Sequence, residues 1–545
     1  MYVPSPPPRF LANTSRTYAL SKPAHCVLDP PPSFQPDKWY RPGAKVKDSC
    51  HKLHKKKLLD KEESRRAGTL GTPASSCDSP YTLIDATFEW IRKEWKDKID
   101  FYGRAIMPVK FLVLAFASIH VPRPSPLPPL GVSYRRHDSD NRRPRTKKEI
   151  LNSNRYITTR FLETFAPTSR LSPSNITRQP ETCCPIVASI GNNDVYPHNI
   201  LDSGPKNPTL NAFLGIWEAF IPEEQVHTFQ EGGWYSVDVI PGLLKVLSLN
   251  TMYFYKSNAA VDGCDDHDDP GTQEIEWIEA ELQKAEKNHM KVYLTGHVPP
   301  KRKNYFPSCW HKYGKLSLKY RHVIIGHLFG HVNLDHFFLL SKKEIEGHKI
   351  SRQPEAVPED WERTNRSAFA LPVSGDLATQ YSDSPPELQL GGARQYLEQL
   401  FEQYSSIKSG EDGAHHVVIN ISPSVVPTFN PTFRIFHYEV QESAQKNQRG
   451  VVPLGYTQYF ANLTKWNEKA KGTEEEDADA DISNPPPWLH VEYEVEYSTM
   501  ESYGMRDLSV ASWLKVAREL GDGKSLWRDY VRRMYVQTRN GLKWP

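Results

Sequence analysis

The sequence predicts a large α/β domain over residues 34–345, followed by a C-terminal α+β region over residues 346–545. Three short apolar runs predict it, at residues 185–190, 292–295 and 323–325. Gly-Asn follows the first run at 191–192, and Gly-His follows the other two, at 296–297 and at both 326–327 and 330–331. This pattern is typical of buried strands that are followed by side chains able to bind a ligand. In open α/β folds such side chains meet at the carboxyl edge of the sheet, where ligands bind.

The first elements along the chain are a proline-rich terminus and one helix. Residues 1–33 are predicted to be irregular, and residues 81–95 carry apolar side chains at helical spacing. Residues 99–101 predict the start of a strand, which the proline-rich segment 102–134 interrupts. We expect that segment to leave the sheet as a loop.

The later elements follow from clear periodic patterns. Residues 274–288 predict an amphipathic helix that leads into the second strand in βαβ fashion. The charged segment 469–487 ends in prolines and predicts a disordered, acidic loop. The other C-terminal predictions are a helix at 395–404, strands at 416–422, 433–440 and 491–497, and closing helices at 508–520 and 526–536.

Composition sets bounds on the function. The chain has 545 residues with 38% hydrophobic and 24% charged content, so we expect a globular protein on the polar side. Its net charge is only +3, so affinity for a polyanion has to come from local patches. The longest apolar run, at 111–119, is too short to cross a bilayer, and no secretory signal is visible near Met1.

The three strand ends carry side chains that suit a transition metal. Asn192 follows the first strand, His297 the second and His331 the third. Imidazole nitrogen and amide oxygen favour zinc, manganese or iron over calcium. A lone His at a strand end is more often a hydrogen-bonded core residue, but three such positions in order predict a ligand set.

These motifs also carry a family resemblance. The run Gly-Asn-Asn-Asp at 191–194 resembles the Gly-Asn-His-Asp/Glu motif of calcineurin-like metallophosphoesterases. With 296–300 and 329–337 it is similar to the fungal endopolyphosphatases, vacuolar relatives of acid sphingomyelinase. Asn193 and Asn333 stand where most phosphoesterases and the sphingomyelinases, respectively, have His, and both match the endopolyphosphatase pattern. Further matching runs lie at 77–80, 136–141, 256–264 and 420–427.

The resemblance implies a fold, an activity and a cofactor. The fold would be an α/β/β/α sandwich, and the activity hydrolysis of internal phosphoanhydride bonds of inorganic polyphosphate. The family uses two divalent ions, of Zn, Mn, Fe or Co type, to activate water and clamp phosphate. Asn192, His297 and His331 would hold one ion, with Asn333 as a further candidate ligand. We expect polyphosphate rather than nucleic acid, because no aromatic-interleaved nucleic-acid motif is evident.

Other site residues follow from the same resemblance. His137 matches a family Arg-His-Asp run and is a candidate acid for the leaving oxygen; a surface His is the alternative. Asn193 cannot transfer protons and would orient phosphate or water. A basic run follows the loop that carries His297 and could bind successive phosphates of a long anion. It consists of Lys301, Arg302 and Lys303. Most basic runs of this kind are simply solvent-exposed surface.

Three family ligands are missing from this sequence. The first-strand Asp-x-His is absent before Asp37, and the Gly-Asp expected after residue 101 is absent too. The segments 12–33 and 102–134 interrupt both motifs and indicate retained intron sequence or misplaced exon ends. We therefore expect this chain to bind at most one ion and to be nearly inactive, unless Asp37 or Asp138 replaces a carboxylate.

Two other functions stay open at this point. One is a sphingomyelinase-like phosphodiesterase, against which Asn193, Asn333 and the lack of a saposin-type cysteine pattern count. The other is a degenerate relative that binds a polyanion without turnover, which the missing ligands favour.

The resemblance also implies a compartment. The family lies in the vacuole lumen or at its membrane, held by an N-terminal span that is not visible here. Five Asn-x-Ser/Thr sites then favour a lumenal glycoprotein, and Cys50–Cys77 and Cys264–Cys309 are the expected disulfides. Buried free thiols are the alternative. The five sites are Asn13, Asn175, Asn365, Asn420 and Asn462.

Overall fold

The computed structural model describes twelve stretches of the chain, which together form a mixed α/β fold. They are residues 25–29, 37–46, 50–51, 66–75, 77–95, 114–116, 146–165, 185–347, 390–426, 429–443, 448–473 and 491–538.

The described residues form strands and helices in the following order. The strands are β1 His25–Asp29, β2 Leu114–Phe116, β3 Ile186–Ala188, β4 Tyr235–Ile240, β5 Leu244–Ser248, β6 Lys291–Thr295, β7 Ile324–Phe329, β8 His336–Ser341, β9 His416–Ile421, β10 Thr432–Ser443, β11 Gln448–Phe460 and β12 Glu494–Ser498. The helices are α1 Tyr81–Trp95, α2 Lys147–Phe165, α3 Pro208–Ile216, α4 Val226–Gly232, α5 Pro270–Lys287, α6 Pro307–Lys319, α7 Lys342–Gly347, α8 Leu390–Ser405, α9 Leu463–Thr473, α10 Thr499–Tyr503, α11 Val510–Asp522 and α12 Lys524–Met534.

Two six-stranded sheets form the centre of the fold. The first has the order β12-β11-β10-β1-β2-β3 and the second the order β4-β5-β6-β7-β9-β8. Strands β1, β2 and β3 are parallel to one another, and so are β5, β6, β7 and β9. The sheets meet across hydrogen bonds such as Ser248 Oγ to the Ala188 carbonyl, at 2.6 Å. The α/β fold predicted from the sequence is confirmed.

Local sequence explains where several elements begin. Strand β3 is buried at every position, which accounts for its continuous apolar run. Helices α3, α5 and α6 each start at a proline, whose fixed φ and missing N–H suit the first turn. Asn207 caps α3, because its Oδ1 accepts the Thr209 N–H at 2.8 Å.

The two proline-rich interruptions contribute strands to the first sheet. This corrects the expectation of a loop at 102–134 and, at residues 25–29, that of an irregular terminus at 1–33. His25–Asp29 pairs antiparallel with β10, and Leu114–Phe116 pairs parallel with both β1 and β3. In a strand, the backbone N–H and C=O groups form hydrogen bonds with a partner that can be far away in the sequence. A local count of prolines therefore cannot predict whether such a partner exists. The last residue of β1 is Asp29, which the sequence analysis did not consider.

The C-terminal region completes both sheets. It supplies β9 to the second sheet and β10, β11 and β12 to the first. Helix α9 also corrects the predicted loop at 469–487, since residues up to Thr473 are helical and the rest lies outside the described residues. Asn462 Oδ1 accepts the Lys465 N–H at 3.1 Å and starts that helix.

Both expected disulfides are present, so the free-thiol alternative is wrong for these four cysteines. Cys50–Cys77 has a Cα–Cα distance of 5.7 Å, and Cys264–Cys309 has one of 5.0 Å. The second ties the loop before α5 to the first turn of α6. Of the glycosylation sites, Asn420 is buried in β9, so its side chain is not accessible to a glycan.

Candidate metal centre

Three donor atoms from three loops converge at one point. Asn192 Oδ1 lies 2.7 Å from His297 Nε2 and 3.3 Å from His331 Nδ1, and the two ring nitrogens are 3.0 Å apart. Two imidazole nitrogens that face each other this closely need a proton or a cation between them. An amide oxygen and two imidazoles are a donor set that fits a divalent transition metal.

The topology of the sheets brings these residues together. Asn192 follows β3 in the first sheet, whereas His297 and His331 follow β6 and β7 in the second. The Gly330 N–H donates to the His297 carbonyl at 3.0 Å and holds the last two loops together. Gly296 has to be glycine, because a Cβ there would lie 2.6 Å from Thr251 Cγ2. The centre therefore lies on the seam between the two sheets.

The loop after β7 carries a further candidate oxygen ligand. His331 and Asn333 have φ angles of 70° and 58°, in the left-handed region that residues other than glycine seldom adopt. Asn333 is buried, and its Oδ1 has no hydrogen-bond partner among the described residues. Burying an amide oxygen without a partner is costly, and a bound cation would remove that cost.

The amide of Asn192 is oriented by its own loop. Its Nδ2 donates to Asn199 Oδ1 at 2.9 Å, which leaves Oδ1 toward His297. Asn193 Oδ1 lies 2.5 Å from His198 Nε2, so the ring N–H donates to that amide. The sequence analysis missed His198 and Asn199, although both follow the Gly-Asn-Asn-Asp run within five residues.

In the described part of the chain, the candidate ligands of an ion are neutral imidazole and amide groups rather than carboxylates or thiolates. No group of three or more His, Cys, Asp or Glu side chains lies together there, so the two histidines would share an ion with amide oxygens. Burial lowers the pKa of His297 well below its usual range, and the facing rings of His331 and His198 lower it further. His297 is therefore a neutral imidazole, the form that binds a metal.

Asp194 fixes the Asn192 loop from behind. Its Oδ2 accepts the Gly191 N–H at 3.0 Å, and its Oδ1 accepts from Asn154 Nδ2 of α2 at 3.1 Å. The side chain is buried, and burial raises the pKa of the carboxyl from 3.8 to about 7. These two hydrogen bonds make Asp194 a support of the loop that carries Asn192.

We expect Asp194→Asn to flatten the pH dependence of stability. Between pH 4 and 7 the folded protein keeps a proton that the unfolded chain has released, so its stability falls as pH rises. The slope from one such group is at most about 1.4 kcal/mol per pH unit. Urea unfolding with a chelator present, from pH 4.5 to 7, measures it. Asp202→Asn, an exposed carboxylate in the same loop, is the control, and equal slopes in wild type and Asp194→Asn would contradict the assignment.

The other predicted site residues differ in their surroundings. Lys301 Nζ donates to Tyr396 Oη of α8 at 2.7 Å and lies 4.1 Å from the centre of its ring. Arg302 lies over the Trp310 ring at 5.3 Å, and Lys303 is exposed. Their role toward a substrate stays a prediction. His137 and Asp138 lie outside the described residues.

A separate cavity lies at the opposite edge of the second sheet. It has a volume of about 330 Å³ and opens where β7 and β9 diverge toward their amino ends. Its lining includes Lys291, Ile324, His416 and Trp513, and none of the converging donors. The converging donor atoms, rather than this cavity, therefore define the candidate metal centre.

Comparison with known proteins gives a consistent set of relatives. The chain is 34% identical over 445 residues to an endopolyphosphatase of Cryptococcus neoformans and 36% identical over 433 residues to one of Yarrowia lipolytica. These alignments cover 76% of this chain but only 58% and 52% of those relatives, so the chain spans little more than half of their length. An endopolyphosphatase of Candida glabrata is 28% identical over 93% of this chain and 85% of its own. No family model matches the chain.

Proposed function

We propose that this chain, which is similar to the fungal endopolyphosphatases, is a metal-dependent hydrolase that cuts internal phosphoanhydride bonds of inorganic polyphosphate. One observation carries the proposal, namely that Asn192 Oδ1, His297 Nε2 and His331 Nδ1 lie within 3.3 Å of one another. The relatives' common name supports the substrate, and the donor set supports the chemistry. Neither alternative function gains support, since each relative compared carries the endopolyphosphatase name.

The residues of the centre suit this chemistry. A divalent ion supplies charge to the phosphoryl oxygens and lowers the pKa of a bound water. His297 and His331 would hold the ion through Nε2 and Nδ1, and Asn192 through the oxygen that Asn199 orients. Asn193 carries amide N–H groups, which are the donors that phosphoryl oxygens accept. Zinc, manganese, iron and cobalt all fit this donor set.

The surroundings of the centre suit a long anion. Arg302 and Lys303 are exposed beyond the His297 loop, and we assign them to contacts with the phosphate chain outside the cleavage point. Lys301 is held by Tyr396, so its charge is fixed in place rather than carried by a mobile side chain. A fixed cation favours a polyanion over a neutral headgroup.

We place the protein in the vacuole lumen, by analogy with the family. Its two disulfides support an oxidising compartment. Among the helices that the structure describes, none combines the length and apolar character needed to cross a bilayer. Membrane attachment is therefore proposed on the family resemblance alone.

The function is tested by the length of the products. Long-chain polyphosphate is incubated with a high concentration of the protein and Mn²⁺, Co²⁺ or Zn²⁺, and the products are separated on a gel. We expect chains of intermediate length to appear before orthophosphate, and chelation to stop the reaction. Release of orthophosphate alone would indicate an exopolyphosphatase. Turnover of sphingomyelin with intact polyphosphate would overturn the proposal.

A further inference from the structure

The loop that carries His331 and Asn333 is held in an unfavourable backbone conformation. Both residues adopt left-handed φ angles, 70° and 58°. Such angles persist only where the surroundings fix them. The Gly330 N–H bond to the His297 carbonyl fixes the start of the loop, and Asp335 lies at its end, directly before β8.

Asp335 is anchored by the opposite sheet. It is buried, and its Oδ1 accepts a hydrogen bond from Arg434 Nη2 of β10. Its Oδ2 accepts from Gln458 Nε2 of β11 at 2.9 Å and from Tyr497 Oη of β12 at 2.6 Å. The Asp335 N–H donates to the Met534 carbonyl of α12 at 3.2 Å. Three strands of the first sheet and one C-terminal helix thus hold a loop of the second sheet.

Arg434, the partner of Asp335 in this buried ion pair, contacts residues of both sheets. It is 1% exposed, its Nη2 also donates to the Ile421 carbonyl at 3.0 Å, and its Nε donates to Gln458 Oε1 at 2.9 Å. Its guanidinium lies over the Tyr456 ring at 4.5 Å. Apolar residues of similar volume often stabilise a fold as well as a buried ion pair does. A contribution to stability alone therefore does not explain why the Asp335–Arg434 ion pair is buried here. Its role in fixing the conformation of the loop does explain it.

We propose that Asp335 and Arg434 are positioning residues of the metal centre. They hold the loop in the conformation that places the His331 ring against His297, and they make the C-terminal strands part of the centre. The inference rests on the proposed function, because it assigns a role within the same site. It requires no contact between either residue and the ion.

The test measures Co²⁺ binding in the absence of substrate. Visible absorption reports both the affinity and the ligand geometry of Co²⁺. In the double variant Asp335→Leu/Arg434→Met both charges are removed together, so no buried charge is left without a partner. We expect the variant to fold, as judged by circular dichroism and a thermal melt, and to bind Co²⁺ about 10–100-fold more weakly with an altered spectrum.

The control removes a largely buried ion pair between the second sheet and helix α5. Lys245 Nζ of β5 lies 2.8 Å from Glu281 Oε2 of α5, and both side chains are largely buried. Lys245→Met/Glu281→Leu should leave Co²⁺ affinity and spectrum unchanged. If the Asp335/Arg434 double variant does not fold, Tyr497→Phe removes a single donor to Asp335 at nearly constant volume, and we expect it to weaken Co²⁺ binding several-fold.

The outcomes separate the inference from the function on which it rests. A folded variant, double or Tyr497→Phe, that binds Co²⁺ with wild-type affinity and spectrum overturns the positioning role and leaves the metal centre intact. Wild-type protein that binds no Co²⁺ overturns the metal centre itself, and the positioning role with it.

Discussion

Replacing His297 or His331 by alanine is expected to abolish polyphosphate cleavage and to remove the bound ion. Each imidazole supplies one of the three donor atoms that converge in the described structure, so either change opens the site. Losing a single group that stabilises transition-state charge costs about 10²–10³ in kcat, and losing the ion should cost at least as much. Metal content after dialysis and the gel assay measure both effects.

The fold should survive both substitutions. The strands that precede these residues, β6 and β7, keep their apolar packing, because the changes lie in the loops beyond the strand ends. His327→Ala is the matched control, since it removes a buried imidazole from β7 itself, four positions before His331. It should keep its ion and its activity. Wild-type activity in His297→Ala or His331→Ala would exclude that residue as a ligand.

The 545-residue chain is expected to hold one ion and to turn over slowly. The family's Asp-x-His and Gly-Asp motifs are missing, and with them the ligands of a second ion and the carboxylate that would bridge the two. Without the symmetric clamp on attacking and leaving oxygens, the rate should fall by about 10²–10³ or more. The reference is protein translated from a transcript that carries both motifs, should sequencing across residues 12–33 and 102–134 find one.

Metal analysis decides this second expectation. One equivalent of Mn²⁺ or Co²⁺ after dialysis, and none in His297→Ala, would agree with it. Two equivalents together with robust hydrolysis would show that other carboxylates complete the centre. Asp37, whose carboxylate lies 2.6 Å from His51 Nε2, is then the first to replace, and Asp138 is the second.

Local patterns predicted those parts of the molecule that depend on near neighbours. The helix at 81–95 has the predicted bounds, because its apolar residues repeat at helical spacing within one stretch. Helix α5 starts at Pro270, four residues before the prediction, since the sequence pattern shows the apolar face but not the capping turn. The three strand ends at Asn192, His297 and His331 were predicted from local sequence alone, and the structure brings them together.

Features that depend on distant partners could not be predicted in this way. The anchor of Asp335 comes from Arg434, 99 residues further along the chain. Strands β1 and β2 lie in segments whose prolines argue against strands, and their pairing partners are far away in sequence. The orientation of the Asn192 amide by Asn199 depends on a turn that brings two residues of one loop face to face.

The position of the metal centre on the seam between the sheets has a consequence for biosynthesis. Of the proposed ligands, Asn192 follows a strand of the first sheet, and His297 and His331 follow strands of the second. The first sheet is complete only when β10, β11 and β12 have been made. A ribosome-bound chain that ends before them has all three ligand residues but no assembled site. We therefore expect ion capture to be postponed until synthesis is nearly finished, so that the nascent chain would bind no ion until its last strands are made.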